Sequence, residues 1–440
     1  MATNRQGMSI DIRFASLLHS LFDAAVSAAQ AEAALPPSLP APSAAGRIIL
    51  LAAGKAAGAM LQVAESHYLD ACGLEPGRLT GLGVTRHGYG RATRQLELVE
   101  AGHPVPDAAG VAATMRCLEL AAAARPGDHV VVLLSGGGSA NWIAPAAGVS
   151  LADKQDLTRR LLRSGATIRE INCVRKHLSR IKGGRLALAV PEGVALTTLA
   201  ISDVPQDDAA VIASGPTVGD PSSLAEARDI CARHAIEVPP AIRAALVDPA
   251  NESPAPDHPR FAATRYELIA RPALSLAAAA DVARAEGYDV HLLGDSLEGE
   301  ARERAVEHAS LARHLAAHGK RAVLLSGGEL TVTLRGDGRG GPNQEYALAL
   351  ALALEGAADI AAVAGDTDGT DGGGGAASDP AGALIDPSTL ARARTMGLDA
   401  AAFLARNDST GFFERLGDLL TPGPTFTNVN DFRAVVVDKR

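Results

Sequence analysis

The chain lacks a segment suited to crossing a membrane and a cysteine pattern that would indicate disulfides or zinc. No run in its 440 residues approaches about 18 consecutive apolar side chains, the length of a membrane span. The first residues, 1–11, contain no apolar stretch of the secretory-signal type. The four cysteines, at positions 72, 117, 173 and 231, form no C-x-x-C pair. These absences predict a cytoplasmic protein with reduced thiols and no membrane partner.

Aromatic side chains and clustered positive charge are also scarce. Aromatic residues make up 3% of the chain, so its cores must be built mainly from Ala, Val, Leu and Ile. The formal net charge is −9 without long blocks of one sign, which argues against a nucleic-acid partner. With 47% hydrophobic residues over this length, we expect two folded domains and leave the oligomeric state open, a homodimer included.

Strands of the buried type, followed by glycine-rich turns and helices, indicate an α/β fold. Residues 130–134 are an unbroken Val/Leu run, typical of a strand covered on both faces. A loop of small residues follows this run, and its N–H and O–H groups are suited to binding anions at the ligand-binding end of a sheet. That loop consists of Ser135, Gly136, Gly137, Gly138 and Ser139. The Leu-Leu-Ser-Gly-Gly sequence recurs at 324–328, which predicts a second strand-end glycine loop.

The domain boundary is predicted at a proline-rich stretch. Six prolines fall between residues 239 and 259, a density that argues against regular structure there. The predicted division is a Rossmann-like domain over 1–245, a linker over 246–262 and a smaller α/β domain over 263–440. Near the start of the chain, apolar residues at helical spacing predict a single helix over 10–35. We expect two α/β lobes with the active site in the cleft between them.

Three carboxylates in one short loop suggest a metal site. Asp366, Asp368 and Asp371 follow a predicted buried strand, and carboxylates so close together repel unless a cation offsets them. The pattern favours a hard divalent ion such as Mg²⁺. The alternative is an acidic surface turn, where Asp and Gly are common for conformational reasons.

Basic residues near glycines form the second set of candidates. Lys55 follows Gly54 at a strand end, where its ammonium can act as a point charge for anionic oxygens. Other candidates lie further along the chain, each with a structural alternative, such as a solvated helix face, a polar strand end or a plain turn. They are the group Asn172, Arg175, Lys176 and Lys182, the acids Asp203 and Asp207, and Ser214. The motif with His103 leaves its role open. No G-x-G-x-x-G dinucleotide fingerprint follows a strand.

Taken in order, these motifs resemble the class II glycerate 2-kinases, whose C-terminal half defines the MOFRL family. The resemblance runs from about residue 13 to 437, and some family members are named hydroxypyruvate reductases. The matching segments include Gly54-Lys55-Ala56, His103 to Asp107, Leu134 to Ala140, Ile171 to Ala187, Ser202 to Val204, Ile212 to Thr217, Leu325 to Glu329, Gly341 to Glu345, Thr367 to Gly372 and Thr427 to Asp431.

The resemblance implies ATP- and Mg²⁺-dependent phosphorylation of D-glycerate at its 2-hydroxyl, with Lys55 as the catalytic lysine. One departure stands out, because many members carry an Arg before Asn-Gln-Glu where this chain has Pro342. Nearby Arg339 is the candidate to supply that charge, although a displaced guanidinium is not equivalent. A second departure is Phe426, at a position where the family usually has Gly.

The resulting hypothesis is phosphoryl transfer to D-glycerate, with ATP as co-substrate and Mg²⁺ as cofactor. Lys55, Asp203 and Arg339 are predicted to be catalytic, and Asp366, Asp368 and Asp371 to hold the metal. Substrate and phosphate binding is predicted for Ser135, Gly136, Gly137, Gly138, Ser139, Asn172, Arg175, Lys176, Lys182, Ser214, Gly327, Gly328, Glu329, Asn343, Glu345 and Asn428. The rival hypotheses are an NAD(P)H-dependent hydroxypyruvate reductase and a non-catalytic protein that binds hydroxy acids.

Overall fold

The computed structural model describes residues 10–439, except 374, 375, 377 and the side chain of Pro205. Residues 1–9 lie outside the described part of the chain, so the prediction that residues 1–11 are not a secretory signal falls mostly on residues that are not described. The contacts divide the chain into two compact units, Ala31–Ile269 and the combination of Met1–Gln30 with Ala270–Arg440. Among the described helices, none has both the length and the apolar character needed to cross a membrane.

The unit Ala31–Ile269 is built on a six-stranded sheet in the order β3-β2-β1-β4-β5-β6. Strand β1 pairs in parallel with both β2 and β4, and the pairs β2–β3 and β4–β5 are also parallel. This is the strand order of doubly wound dinucleotide-binding folds, and it reverses direction between β1 and β4. The strands are β1 Ile48–Ala53, β2 Leu79–Arg86, β3 Glu97–Ala101, β4 His129–Leu134, β5 Ala195–Ile201 and β6 Thr264–Ala270.

Small and branched apolar side chains fill both faces of this sheet. All six residues of β1 are buried, as are five of the six in β4, which explains their uninterrupted apolar sequences. The helices of this unit are Ala31–Ala34, Ala57–Ser66, Ala108–Ala122, Gly138–Asn141, Leu151–Arg163, Ile168–His177, Arg185–Ala189, Leu224–Arg233, Pro240–Val247 and Pro259–Ala262, with a π-helical turn at His67–Ala71. Short 3₁₀ turns lie at Pro36–Ser38, Pro76–Arg78, Pro205–Asp207, Ile212–Ser214 and Pro249–Asn251.

The second unit is built on a mixed six-stranded sheet in the order β11-β10-β9-β12-β8-β7. The last strand of the chain, β12, lies between β8 and β9 and is antiparallel to both. The strands are β7 Asp289–Gly294, β8 Arg321–Gly328, β9 Ile360–Asp366, β10 Gly382–Ile385, β11 Leu419–Leu420 and β12 Asp431–Asp438. Its helices are Ile12–Ala29, Pro272–Ala285, Ala301–Ala317, Pro342–Leu354, Thr389–Thr395, Ala400–Ala405 and Ser409–Leu416.

The first helix of the chain, Ile12–Ala29, completes the core of this second unit. Its buried residues, among them Phe14, Leu18 and Phe22, belong to the same apolar cluster as residues of β8, β9 and β12. The ring of Phe22 meets that of Phe432 edge to face at 6.1 Å between centroids. The two ends of the sequence therefore share one core.

The α/β class with two units is confirmed, but the division of the chain differs from the predicted one. The helix predicted over 10–35 is interrupted at Gln30, whose backbone is extended, and the units divide there. The proline-rich stretch lies inside the first unit and contains the helix Pro240–Val247, contrary to the prediction of irregular structure. Proline is tolerated at the first position of a helix, where its missing N–H costs nothing, so the prolines begin elements here and do not exclude them.

Candidate active site

The glycine-rich loop after β4 and the turn after β1 lie side by side at the edge where parallel strands end. β1 and β4 are paired in parallel, and the strand order reverses between them. In doubly wound sheets this reversal opens a crevice at the carboxyl ends of the strands, the usual ligand position. The predicted anion-binding loop and Lys55 thus occupy adjoining positions in the first unit.

Hydrogen bonds tie the two segments together. The N–H of Lys55 donates to the carbonyl oxygen of Gly136 at 2.8 Å, and the N–H of Ala56 donates to Oγ of Ser135 at 3.0 Å. Gly54 has φ 119°, and a Cβ at this position would lie 2.4 Å from the carbonyl oxygen of Ser135. Glycine is therefore required for this close approach, and it fixes the backbone of Lys55 against the loop.

Further predicted residues surround the end of the same loop. Oγ of Ser139 lies 2.6 Å from Oγ of Ser214, and the Arg175 guanidinium donates to the Ser139 carbonyl oxygen at 3.3 Å. Arg175 also donates to Oδ1 of Asn172 at 3.2 Å. Ser214 and its neighbour Ala213 both have left-handed backbones, with φ 63° and 50°. Such conformations in residues other than glycine cost energy and are concentrated at functional sites.

Two of the predicted anion-binding lysines have structural partners instead. Lys182 is fully buried, and its Nζ donates to the carbonyl oxygens of Ser139 at 2.7 Å and Trp142 at 2.8 Å. Lys176 is also buried and pairs with Oδ1 of Asp220 at 3.1 Å. Burial lowers the pKa of Lys182 well below its ordinary value, an effect that nearby Arg175 reinforces. The sequence identified a basic stretch, but it could not show that these two ammonium groups face inward.

The contacts of Lys182 lead to a testable prediction about the loop. We expect Lys182→Met to lower the free energy of unfolding by about 2–3 kcal/mol, because two buried carbonyl groups lose their donor while side-chain volume is retained. Thermal unfolding followed by circular dichroism measures this loss. Lys320→Met, at an exposed position, is the matched control and is expected to leave the midpoint unchanged. Equal midpoints for both variants would show that Lys182 does not support the loop.

Asp203 lies just after β5, the strand next to β4 in the sheet. β5 ends at Ile201 beside β4, so Asp203 is at the same edge of the sheet as the glycine-rich loop. Its side chain is half-buried, and Asp207, four residues later, has a left-handed backbone with φ 57°. This placement is compatible with the predicted role of Asp203 in the reaction.

In the second unit, acidic residues converge where β8 and β9 meet the start of β12. Asp431 is opposite Gly328 on one side and opposite Asp366 on the other. Nδ2 of Asn343 donates to Oδ1 of Asp431 at 2.6 Å and to Oδ1 of Asp371 at 3.1 Å, so one amide connects two carboxylates. All of these groups lie at one end of the mixed sheet.

Asp371 holds the start of the helix Pro342–Leu354. Its carboxylate accepts hydrogen bonds from the N–H groups of Asn343 at 3.0 Å and Gln344 at 2.9 Å, and from both of their side-chain amides. Burial, reinforced by the nearby Asp431, raises the pKa of Asp371 to about 7 despite these bonds. Gly341 is needed just before the helix, since a Cβ there would lie 2.4 Å from Cγ of Asp371.

The predicted three-carboxylate metal site does not assemble in this form. Within the described residues, no group of three or more His, Cys, Asp or Glu side chains is placed to hold a metal ion. The oxygens of Asp371 are engaged by the helix, whereas Asp366 and Asp368 share a turn in which Oδ1 of Asp366 accepts the N–H of Asp368 at 2.9 Å. Carboxylate oxygens of this pair remain chemically suited to Mg²⁺.

Glu345 and Arg339, two other predicted site residues of this unit, also have structural partners. Glu345 is buried and accepts from Arg302 at 2.6 Å and from Asn407 at 2.9 Å. Arg339 is exposed and pairs with Glu414 at 2.7 Å, so the candidate replacement for the family arginine carries a surface ion pair. Pro342 occupies the first position of its helix.

The second glycine loop predicted from the sequence repeat does not form in the described segment around Gly327 and Gly328. Gly327 and Gly328 are the last residues of β8, and their carbonyl oxygens accept hydrogen bonds from Arg433 at 3.2 and 3.0 Å. A Cβ on Gly328 would lie 2.1 Å from the backbone nitrogen of Leu297, so a neighbouring segment explains this glycine. Beyond the strand, Glu329 is exposed, whereas Asn428 is buried and its Oδ1 accepts the N–H of Asn430 at 3.3 Å.

Asp431, Arg433 and Gln344 were not among the predicted site residues. In the structure they form hydrogen bonds within the acidic cluster of the second unit. Arg433 is buried and donates to Oδ2 of Asp431 at 2.5 Å. Gln344 anchors Asp371 and accepts from Oγ1 of Thr410 at 2.6 Å. The available signal was the polar run Thr427 to Asp431 directly before an apolar strand, which places Asp431 at a strand end.

Comparisons with known proteins fit this arrangement. Residues 17–247 match the model of a domain of unknown function, DUF4147, and residues 322–431 match that of the MOFRL family. The chain is 38% identical to a glycerate 2-kinase of Pyrococcus horikoshii, over 90% of this chain and 88% of that protein. The chain belongs to the class II glycerate 2-kinase family.

Two further relatives of this family show how closely the chain follows it. A crystal structure of glycerate kinase from Thermotoga maritima superposes with a TM-score of 0.86 at 36% identity, covering 97% of this chain and all of that one. A protein of Agrobacterium vitis named putative hydroxypyruvate reductase is 44% identical over 97% of this chain and 95% of its own length. Family members of similar sequence thus carry two different functional names.

Proposed function

We propose that this chain is a glycerate 2-kinase that transfers the γ-phosphoryl group of ATP to the 2-hydroxyl of D-glycerate. In this reaction the hydroxyl oxygen forms a bond to phosphorus, the bond to the bridging oxygen of ADP breaks, and the hydroxyl proton is released. The observation that carries the proposal is the placement of Lys55 beside the glycine-rich loop, at the strand-order reversal of the first sheet. Phosphoryl transfer depends chiefly on positioned positive charge, which such a lysine supplies.

The proposed roles follow from the hydrogen bonds in the first unit. Lys55 contributes its charge to anionic oxygens, and the N–H groups of Gly136 and Gly137 contribute neutral donors. Within the described residues neither of these two N–H groups donates to a protein acceptor, whereas the N–H of Gly138 donates to Ser135. Arg175 adds a second cation beside Ser139. Asp203 would accept a hydrogen bond from the attacking hydroxyl and so orient it.

Asp366 and Asp368 are the proposed Mg²⁺ ligands in the second unit, and Asp371 is reassigned to holding the helix. Protein-bound Mg²⁺ commonly uses one or two carboxylates together with substrate phosphates and water, so three protein ligands are not required. The bound ion would offset the negative charge of the phosphate oxygens. The hard oxygen donors of this turn support the assignment.

The hydroxypyruvate reductase remains the second candidate, because a close relative bears that name and the first sheet has the strand order of dinucleotide-binding folds. The local sequence argues against it. The turn after β1 reads Gly54-Lys55-Ala56-Ala57-Gly58 and has no G-x-G-x-x-G spacing. β2 ends in Arg86, so the acidic residue that holds the ribose of NAD is missing there.

The test measures ADP formation from ATP and Mg²⁺ with and without D-glycerate, with NADH oxidation on hydroxypyruvate measured in parallel. We expect ADP formation that requires D-glycerate and stops when EDTA removes the metal, with ³¹P NMR identifying the 2-phosphate. NADH oxidation without ADP formation would contradict the kinase and favour the reductase. Binding of D-glycerate without either reaction would indicate a non-catalytic binding protein.

A further inference from the structure

His103 lies against the glycine-rich loop although its sequence motif left its role open. It follows β3, and β2 separates that strand from β1 in the sheet. A Cβ on Gly137 would lie 3.1 Å from both Cδ2 and Nε2 of His103 and 3.3 Å from Cγ of Lys55. The imidazole edge that carries Nε2 and the stem of Lys55 therefore both lie on the side of Gly137 where a Cβ would be.

Gly137 makes this approach possible in two ways. Its φ of 82° is a left-handed conformation that glycine adopts without steric cost, and its missing side chain leaves room for the ring. The N–H of Gly137 is one of the loop donors assigned above to anionic oxygens. The imidazole is consequently next to a group of donors that all favour negative charge.

Several contacts hold the loop that carries His103. Oδ1 of Asp107 accepts the N–H of Gly110 at 2.9 Å, while its Oδ2 lies 3.2 Å from Nε2 of His87. Nε2 of Gln155 donates to the carbonyl oxygen of Pro106 at 2.7 Å. Pro104 and Pro106 further restrict the backbone, since each proline fixes its own φ. The ring is thus presented by a loop that needs little reordering when a ligand binds.

We propose that His103 is a substrate-binding residue that donates a hydrogen bond from Nε2 to an anionic oxygen held by the glycine-rich loop. Two sources of that oxygen share the same chemistry, namely the carboxylate of the hydroxy acid and the phosphoryl group being transferred. The proposal rests on the proposed kinase function, because it takes the ligand of this loop from that reaction. The proposal also adds a donor from the loop after β3, a strand that precedes none of the other assigned residues.

The experiment compares His103→Ala with His103→Gln, whose amide retains an N–H donor at a similar distance from the backbone. Loss of a hydrogen bond to a charged oxygen is expected to raise the KM of one substrate about 10- to 100-fold in His103→Ala. A raised KM for D-glycerate assigns the oxygen to the carboxylate, and a raised KM for ATP or a lowered kcat assigns it to the phosphoryl group. His103→Gln is expected to recover most of the loss, which a role confined to packing would not allow.

His318→Ala, an exposed histidine of the second unit, is the control and is expected to match the unmodified protein. Calorimetric titration with D-glycerate, inorganic phosphate and ADP separates failure of this proposal from failure of the kinase hypothesis. If the unmodified protein binds these compounds but does not form ADP, the kinase hypothesis fails while the affinities of His103→Ala still test the histidine. Unchanged KM, kcat and affinities in a folded His103→Ala protein would overturn the proposal.

Discussion

Lys55→Ala is expected to lower kcat/KM for D-glycerate phosphorylation by about 10²- to 10³-fold, the usual cost of removing one positioned group that stabilises the transition state. The lysine backbone is held by its hydrogen bond to Gly136, so alanine keeps the turn and removes only the charged stem. A coupled assay of ADP formation measures the change, with thermal unfolding as the test of folding.

Two further variants sharpen the interpretation of Lys55. Lys55→Arg keeps the charge but changes its geometry, so we expect only partial recovery of activity. Lys320→Ala removes an exposed lysine and is expected to have no effect. If Lys55→Ala retained activity within about threefold of the unmodified protein, the assignment of the site to this loop would be wrong.

Asp371→Ala is expected to give the largest loss of stability among the acidic loop residues, about 2–4 kcal/mol. The substitution leaves the buried N–H groups of Asn343 and Gln344 without their acceptor. It also removes one of the two acceptors of each side-chain amide. For a unit of this size, we expect the thermal midpoint to fall by roughly 5–15 °C. Differential scanning calorimetry measures this shift.

Asp366→Ala and Asp368→Ala provide the contrast for Asp371. If Asp366 and Asp368 hold Mg²⁺, the main effect of replacing either is a higher Mg²⁺ concentration for half-maximal activity. We expect the thermal midpoint to shift less than in Asp371→Ala. Asp281→Ala, which breaks only an exposed pair with Arg284, is the stability control. A raised Mg²⁺ requirement in Asp371→Ala with an unchanged midpoint would instead support the original three-carboxylate site.

Local patterns in the sequence predicted β4 and the position of the glycine loop after it correctly. The Val/Leu run before Ser135 is a buried strand, and the glycines after it lie outside the sheet. Both features could be predicted because they depend on residues that are neighbours in the sequence. The repeated Ser-Gly-Gly at 326–328 failed as an analogy. There the glycines remain paired in β8, and Gly328 makes room for Leu297. Leu297 is 31 residues away in the sequence, so no local pattern indicates this contact.

The roles of charged residues were the least predictable part of the site. Lys176 and Lys182 look like ligand-binding residues in sequence, but Asp220 and the carbonyl groups of Ser139 and Trp142 take their ammonium groups. Asp371 serves a helix whose first residue is 29 positions earlier in the sequence. Such partners are set by tertiary contacts, so the sequence identified the polar segments but not what each side chain binds.

The shared core of the two chain ends has a consequence for synthesis. The helix Ile12–Ala29 is synthesised before the Ala31–Ile269 unit, whereas β8, β9 and β12, which it covers, are made only after that unit. At translation rates of about 5–20 residues per second, this interval is on the order of 15–80 s. During that time the apolar face of this helix has no sheet to pack against. A fragment that begins near residue 270 would expose the sheet face that this helix covers.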